Sequence, residues 1–398
     1  MSARRKSATV TAPGDRRNGP RPDTLAVHAG SQPDSQTGAV VTPIFQSSTF
    51  LYPAGDRELQ YTRYGNNPSQ VAVHEKLAAL EGAEAALALA SGMAAIATAI
   101  LSTCGRGDHI VAAPALYGGT HSLLDRELPR LGIEVTYADD VDPAAWERAT
   151  RTGTRLWLWE AISNPLLRVP DGPALAAKAR ERGIATLVDA TFASPIHQRP
   201  ATFGADLVMQ SGTKYLGGHS DLIAGTLAGS AERIRRVIEM MHVLGGSIDP
   251  HASFLLERGM KTLAVRMARH SENGRAVAEF LAAHPRVERV HYPTLPDHPD
   301  REVAARVLTG GGGVVTFVPR LTAAETEALV GRFRWIKLAP SLGGVESLVS
   351  MPSMTSHRMM PPETRRGRGI PDATVRLALG IENPRDLIDD LDRGLAGR

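Results

Sequence analysis

The stretch SGTKYLGGHSD, Ser211 to Asp221, sets one lysine, Lys214, between hydroxyl donors and glycines directly after the apolar run ADLVMQ. That run, residues 205–210, reads as a short buried strand of an α/β sheet, so Lys214 stands where the strand runs out into a loop. Ligand sites collect at such strand ends. A lysine forms an imine with a carbonyl only as the free amine, which requires burial or neighbouring cations to lower its pKa from about 10. A Gly-rich surface loop leaves a lysine solvated, so the chemistry of Lys214 depends on what the rest of the chain brings beside it.

Upstream, strands and helices alternate. Residues 85–90 read as a strand leading into Ser91-Gly92-Met93 and a helical AAIATAILS, and residues 109–113 as a strand leading into the loop PALYGGTHS with Tyr117. Strands follow at 134–138 and 155–160, the latter running into Asn164-Pro165, then a helix over 173–182 and the strand IATLVDATF with Asp189. This alternation predicts a mostly parallel sheet with helices on both faces. Ser91, Tyr117, Asn164, Asp189 and Lys214 then share one sheet edge. A Ser-Gly turn that opens a helix offers free backbone N–H groups to an anion, a weak signal in isolation. Tyr117 alone reads as core, with stacking on a flat ligand as the alternative.

Together these parts meet the needs of pyridoxal phosphate: a lysine for an imine, an aspartate for a pyridinium nitrogen, a ring to stack and an anion-binding helix start. Asp189 would keep the ring nitrogen protonated. Ser211 and Thr213 would donate hydroxyls to the phosphate, and the SGM backbone would supply further donors.

The 398-residue chain is 42% hydrophobic, ordinary for a folded globular protein. Its single cysteine, Cys104, excludes an internal disulfide framework and a Cys-cluster metal site, and predicts a cytoplasmic, reducing location. No apolar run has the length of a membrane span, and no His/Cys/carboxylate cluster has metal-ligand spacing. The pI near 9.1 traces to the N-terminus, where residues 1–21 hold six Lys/Arg and one acid. A basic tail of this kind, residues 1–22, is expected to be disordered and carries no nucleic-acid face.

Residues 23–68 are rich in prolines and glycines and read as an extended N-terminal arm that packs on a second subunit. The arm ends in QYTRYGNNPSQ, with Tyr61 and Arg63, whose planar fork suits a phosphate or carboxylate. A helix is predicted over 71–81, and residues 250–269 read as one long amphipathic helix leading out of a 69–260 domain into a 261–398 C-terminal domain. Gly310–Gly313 lacks the Gly-Lys-Ser/Thr of a phosphate loop and reads as a turn before the strand VVTFV. Arg376 lies in the apolar TVRLALGIE and needs a partner, either a substrate carboxylate or a buried salt bridge.

In chain order, AVHAG, YTRYGN, LEG…SGMAAI, YGGT, SNP, VDATFASP, SGTKYLGGHSD, RGMKTL, GGVESL and RLALGIE are recognisable. From about Thr24 to the C-terminus the chain resembles the trans-sulfuration, or Cys/Met-metabolism, family of pyridoxal-phosphate enzymes. The resemblance implies an α/β fold of fold-type I, like aspartate aminotransferase, with a mostly parallel central sheet, an N-terminal arm and a smaller α+β C-terminal domain. It implies that Lys214 carries the cofactor and shuttles protons, that Asp189 pairs with the pyridine nitrogen beside Thr191, and that Tyr117 stacks on the ring. Gly92, Met93, Ser211 and Thr213 would hold the phosphate with Tyr61 and Arg63 of a neighbouring subunit. Asn164, Ser347 and Arg376 would orient the amino-acid substrate. The active unit would be a homo-oligomer, commonly a tetramer built as a dimer of dimers.

Departures from the family pattern bear on the reaction. Gln60 stands where many cystathionine-handling members are acidic, Gly119 where methionine γ-lyases carry a cysteine, and Ala190 where an asparagine commonly follows the ring-pairing aspartate. Asn66-Asn67-Pro68 adds a residue, and Glu346 in GGVES favours the synthase and γ-lyase branch. The expected reaction is γ-elimination or γ-replacement on an acylated homoserine or cystathionine. The alternatives are a C–S β-lyase and a specialised γ-substitution enzyme.

Overall fold

The computed structural model describes residues 19–31, 33–52, 58–139, 141–355, 358 and 360–397. The basic tail expected over residues 1–22 lies mostly outside them. Seven strands make the large sheet: β1 Ala85–Leu89, β2 His109–Ala112, β3 Glu134–Tyr137, β4 Thr154–Glu160, β5 Ala185–Asp189, β6 Leu207–Gln210 and β7 Gly225–Gly229. Their spatial order is β1-β7-β6-β5-β4-β2-β3. β2 to β6 pair in parallel, and β7 runs antiparallel to both β1 and β6, so β1 to β6 all point the same way. The C-terminal ends of six strands and the start of β7 therefore share one edge.

β2, β5, β6 and β7 are buried along their whole length, as strands covered on both faces must be. The helices Pro68–Glu81, Gly92–Thr103, Gly172–Glu181 and Ala231–Leu244 pack on this sheet. Trp146, Trp157 and Trp159 are fully buried against one another, with ring centroids 5.4 and 5.9 Å from Trp146. Each indole N–H of Trp146 and Trp157 finds an oxygen, Asp139 O and Thr150 Oγ1, so these rings enter the core without leaving a donor unpaired.

A second sheet contains β8 Val287–His291, β9 Val314–Pro319, β10 Lys337–Leu338, β11 Leu348–Ser350 and β12 Val375–Ala378, ordered β10-β11-β12-β9-β8 and antiparallel except for the β10–β11 pair. It has its own apolar core around Phe317, Leu377 and Leu391, which begins within the helix Leu263–Ala283. The mixed α/β architecture matches the fold expected from the sequence.

Two local expectations are corrected, and one strand carries no signal in the sequence. The arm holds a helix, Pro22–His28, with Pro22 in its first turn. Its periodicity is too short to read among so many prolines and glycines. Lys76, fully buried, donates from Nζ to Ala26 O (2.9 Å) and Val27 O (3.3 Å), capping that helix from outside. Residues 250–269 are two helices, Pro250–Met260 and Leu263–Ala283, separated at Lys261-Thr262. The buried Arg266 guanidinium bonds Gly259 O and Tyr215 O at 2.7 Å each, so carbonyls at the break are satisfied by a side chain that periodicity does not register. The short, glycine-bounded β7, GTLAG, has the composition of a loop and is a strand only through its pairing with β1 and β6.

Candidate active site

The edge formed by the strand ends opens into a cleft of about 680 Å³. Its lining includes Gly92 and Met93 beyond β1, Tyr117 beyond β2, Asn164 beyond β4, Asp189 and Thr191 at the end of β5, Ser211, Thr213 and Lys214 beyond β6, and Arg376 from β12. The single edge foreseen from the alternation of strands and helices is thus the edge that carries the site.

Lys214 Nζ donates to Ser341 Oγ at 2.6 Å. Burial, and secondarily the Arg376 charge, push its pKa down to about 8. Much more of it is free amine near neutrality than of a solvated lysine. Asp189 is 9% exposed, and burial raises its pKa. Thr191 opposes that shift by donating its backbone N–H (2.9 Å) and its hydroxyl (2.5 Å) to Oδ1. Both bonds land on Oδ1, so Oδ2 remains for a donor in the cleft. Thr191 Oγ1 also accepts the Ser211 N–H at 2.8 Å, which ties the end of β5 to the loop after β6.

The helix Gly92–Thr103 begins at this edge, capped by Ser91 Oγ accepting the Ala94 N–H at 3.1 Å. A Cβ at Gly92 would sit 3.2 Å from the Ser211 side chain, and one at Gly225 would sit 2.1 Å from Ser91 O, so these glycines let the backbones that surround the helix start close up. Thr213 is tied to Ala224 by its own N–H (3.2 Å to Ala224 O) and by accepting the Ala224 N–H at Oγ1 (3.0 Å). Tyr117, expected to be core when read alone, is 49% exposed in the cleft wall. Its backbone N–H donates to Glu160 Oε1 at 2.6 Å, which fixes the loop while leaving the ring to the cleft.

Arg376 is 6% exposed, and burial lowers its pKa to about 10. Nη1 donates to Asn164 Oδ1 at 3.2 Å and Nη2 to Ser341 O at 3.0 Å, while the buried Nε has no partner. Among the described residues no carboxylate pairs with it, so the salt-bridge alternative falls away. A buried guanidinium with a spare N–H and neutral partners is suited to an incoming carboxylate.

Ser347 does not reach this cleft. It is fully buried, its hydroxyl donates to Glu382 Oε2 (2.9 Å) and accepts the Gly380 N–H (2.9 Å), and its own N–H meets Glu382 Oε1 at 2.6 Å. The serine beside Lys214 is Ser341, earlier in the same loop, held at φ 95°. The sequence signal for it is the glycine-rich context PSLGG, residues 340–344. Tyr61 and Arg63 also lie away from this chain's own cleft. Arg63 Nη1 donates to His242 O at 2.7 Å and its guanidinium lies 5.1 Å from the Tyr64 ring. Glu160 is a further cleft residue that sequence reading passed over.

The geometry fits a phosphorylated pyridine aldehyde: a desolvated amine, a buried carboxylate with a free oxygen, an exposed ring and a helix N-terminus surround one space. Comparison with known proteins gives the same answer. Residues 23–396 match the model of the Cys/Met metabolism PLP-dependent enzymes. The chain is 42% identical to a cystathionine γ-synthase of Mycobacterium tuberculosis over 94% of its length and 96% of that protein. It is 38% identical to a cystathionine γ-lyase of Bacillus subtilis, covering 94% of this chain and 98% of that one. The crystal structure of cystathionine γ-synthase from Xanthomonas oryzae in complex with aminoacrylate and cysteine superposes with a TM-score of 0.92 at 38% identity, covering 95% and 98% of the two chains. The chain belongs to the Cys/Met metabolism family of PLP-dependent enzymes.

Proposed function

We propose that this enzyme performs γ-elimination or γ-replacement on a four-carbon amino acid with a leaving group at Cγ, an acylated homoserine or cystathionine. The observation that carries the reading is the pair formed by Lys214, a desolvated amine, and Arg376, a buried cation without a carboxylate partner, across one cleft. The γ position of the chemistry follows the relatives named above.

Pyridoxal phosphate, when bound, supplies the electron sink that makes the substrate's Cα–H acidic. The chain's own groups do the rest. Lys214 would hold the cofactor through Nζ and, once freed from it, would take the proton from Cα. Asp189 would face the pyridine nitrogen with its carboxylate, which Thr191 holds in place. Tyr117, exposed in the cleft wall, would cover the ring face. Gly92 and Met93, at the helix start, would join Ser211 and Thr213 around the phosphate. Arg376 grips the α-carboxylate, with Asn164 and Ser341 setting its plane. Once Lys214 has given up the Cα proton to the cofactor's imine carbon it would again be a free amine, able to take a proton from Cβ, and the γ-substituent would leave with its bonding electrons. Water then completes release of 2-oxobutyrate and ammonia, or a thiol adds at Cγ.

Tyr61 and Arg63 are assigned to the phosphate of a neighbouring copy, and the enzyme to a homotetramer of paired dimers. Val40, Val41, Leu51 and Tyr52 in the arm are exposed apolar groups that such packing would cover. No helix among the described residues is long and apolar enough to cross a membrane. Together with the lone, buried Cys104, this supports a cytoplasmic location.

Lys214→Ala is expected to abolish both turnover and the visible absorbance of bound cofactor, since proton transfer by a placed amine alone contributes about 10² to 10⁴ in rate. A fully active Lys214→Ala protein overturns the assignment. Product analysis decides the position of attack: 2-oxobutyrate from O-acetyl-L-homoserine or cystathionine supports γ chemistry, and pyruvate from cystathionine supports β.

A further inference from the structure

The loop that leads from β2 to Tyr117 is tied down from two distant parts of the chain. The carbonyl oxygen of Pro114 accepts two side-chain donors, His121 Nε2 at 2.7 Å and Arg368 Nη1 at 2.9 Å. A carbonyl oxygen has two lone pairs, so it can take both bonds at once. The His121 backbone N–H donates to Tyr117 O at 3.0 Å, so this one residue grips both ends of residues 114–117. His121 is itself held: Nδ1 lies 3.1 Å from Tyr137 Oη, at the end of β3, and that hydroxyl donates to Asp125. Asp125 sits in the π-helical turn Leu123–Glu127, a rare winding that recurs at functional sites.

Arg368 approaches from far along the chain and from a braced position. It follows the short helix Pro362–Gly367, and its own N–H donates to Thr364 O at 3.1 Å. The buried Arg365 of that helix pairs with Asp372, which Arg366 also reaches at 3.0 Å. Asp372 stands just before β12, the strand that carries Arg376. The segment that grips the Tyr117 loop is thus fastened to the start of the strand that bears the carboxylate-binding arginine.

We propose that Arg368 is a positioning residue for Tyr117: through Pro114 O, and together with His121, it holds the loop so that the ring already faces the cofactor's place before the cofactor binds. The inference rests on the reading of Tyr117 as the cover of the cofactor ring. Tyr117 is half exposed, so packing alone does not fix it, and a loop released from Pro114 O has to be ordered again at each binding event. Arg368 itself is exposed, so its bond adds little to global stability, and its effect is separable from unfolding.

The test is a double-mutant cycle on the full-length chain, with the Kd for pyridoxal phosphate measured by titration of the apoprotein and the circular dichroism of the bound cofactor's visible band recorded alongside. Arg368→Met is expected to raise the Kd by about three- to tenfold, the reach of one partly exposed hydrogen bond, with Tm unchanged. Arg368→Lys keeps a donor and is expected to lie nearer to wild type. Tyr117→Ala raises the Kd and alters the dichroism of the band. In the Tyr117→Ala background Arg368→Met is expected to change the Kd no further, since a residue that acts through the ring has nothing left to position. An unchanged Kd in Arg368→Met, or the same fold-change with and without the Tyr117 ring, overturns the proposal while leaving Tyr117 as the cover. If Tyr117→Ala alters neither the Kd nor the dichroism, the reading of Tyr117 has failed and this inference falls with it.

Discussion

Lys214 and Arg376 come from different sheets, and each alters the other. Burial lowers the Lys214 pKa to about 8 from the ordinary 10.5, with Arg376 adding to the shift. Capture of pyridoxal phosphate by the apoprotein requires the free amine, so its rate should rise with pH through about 8 and level off above it. Arg376→Ala removes one of the two causes and should move that midpoint upward. Stopped-flow absorbance of reconstitution reads both, and a wild-type midpoint near 10.5 would show a solvated lysine instead. Gly119 tests the Tyr117 wall in the same way. A Cβ there would lie 2.6 Å from Tyr117 Cε1 and 2.9 Å from Met93 Sδ. Gly119→Ala should therefore displace the ring and raise the Kd for cofactor, measured by titration of the apoprotein.

The helix Pro68–Glu81 shows how one element joins arm, sheet and cleft. Asn67 caps it, accepting the Ser69 N–H, while Gln70 Oε1 accepts the Asn67 N–H, and the Asn67 amide donates to Phe45 O at 2.8 Å. The extra asparagine is used as well, since Asn66 Oδ1 accepts the Tyr61 N–H at 2.9 Å. Asn67→Ala should cost about 1–2 kcal/mol through the lost cap and should loosen the arm, both read by denaturant unfolding. At the other end Glu81 is buried and pushed up to about 8, its Oε1 accepting from the Gln210 amide next to Ser211. The folded protein therefore retains this proton between pH 4.5 and about 8, where the unfolded chain releases it. Stability from Glu81 is complete below the lower value and is lost as pH rises through the upper. Glu81→Gln keeps the acceptor without the ionisation, so its Tm advantage over wild type should be larger above pH 8 than below pH 4.5.

At the scale of the molecule the cleft lies where the large sheet's edge meets residues from the second sheet and its loops, and specific contacts hold the two together. Arg168, just after β4, makes a two-pronged pair with Asp300 at 2.6 and 2.9 Å, and Asp300 Oδ2 also accepts the Val169 N–H. Asp300→Ala leaves a partly buried guanidinium without this carboxylate and should destabilise by up to about 3–5 kcal/mol, read as a fall in Tm. The N-terminal tail belongs to the same scale. Removal of residues 1–18 is expected to leave kcat/KM unchanged, and a clear loss would give the tail a part in assembly or access.

Lys214, Asp189, Tyr117 and the Ser91 helix start were legible in the sequence because alternating strands and helices dictate that strand ends share an edge, whatever the details of packing. The order of motifs carried the family. Contacts between segments distant in the chain were not legible. Periodicity records which face of an element is apolar, not which loop it meets, so Ser341 beside Lys214, Glu382 against Ser347 and Lys76 beneath Ala26 appear only once the chain has closed on itself. The exposure of Tyr117 and the unpartnered Nε of Arg376 are of the same kind. An aromatic after one strand and an arginine within another look like core or salt bridge until the tertiary structure decides which groups are left for a ligand, because burial and pairing are properties of the assembled surfaces.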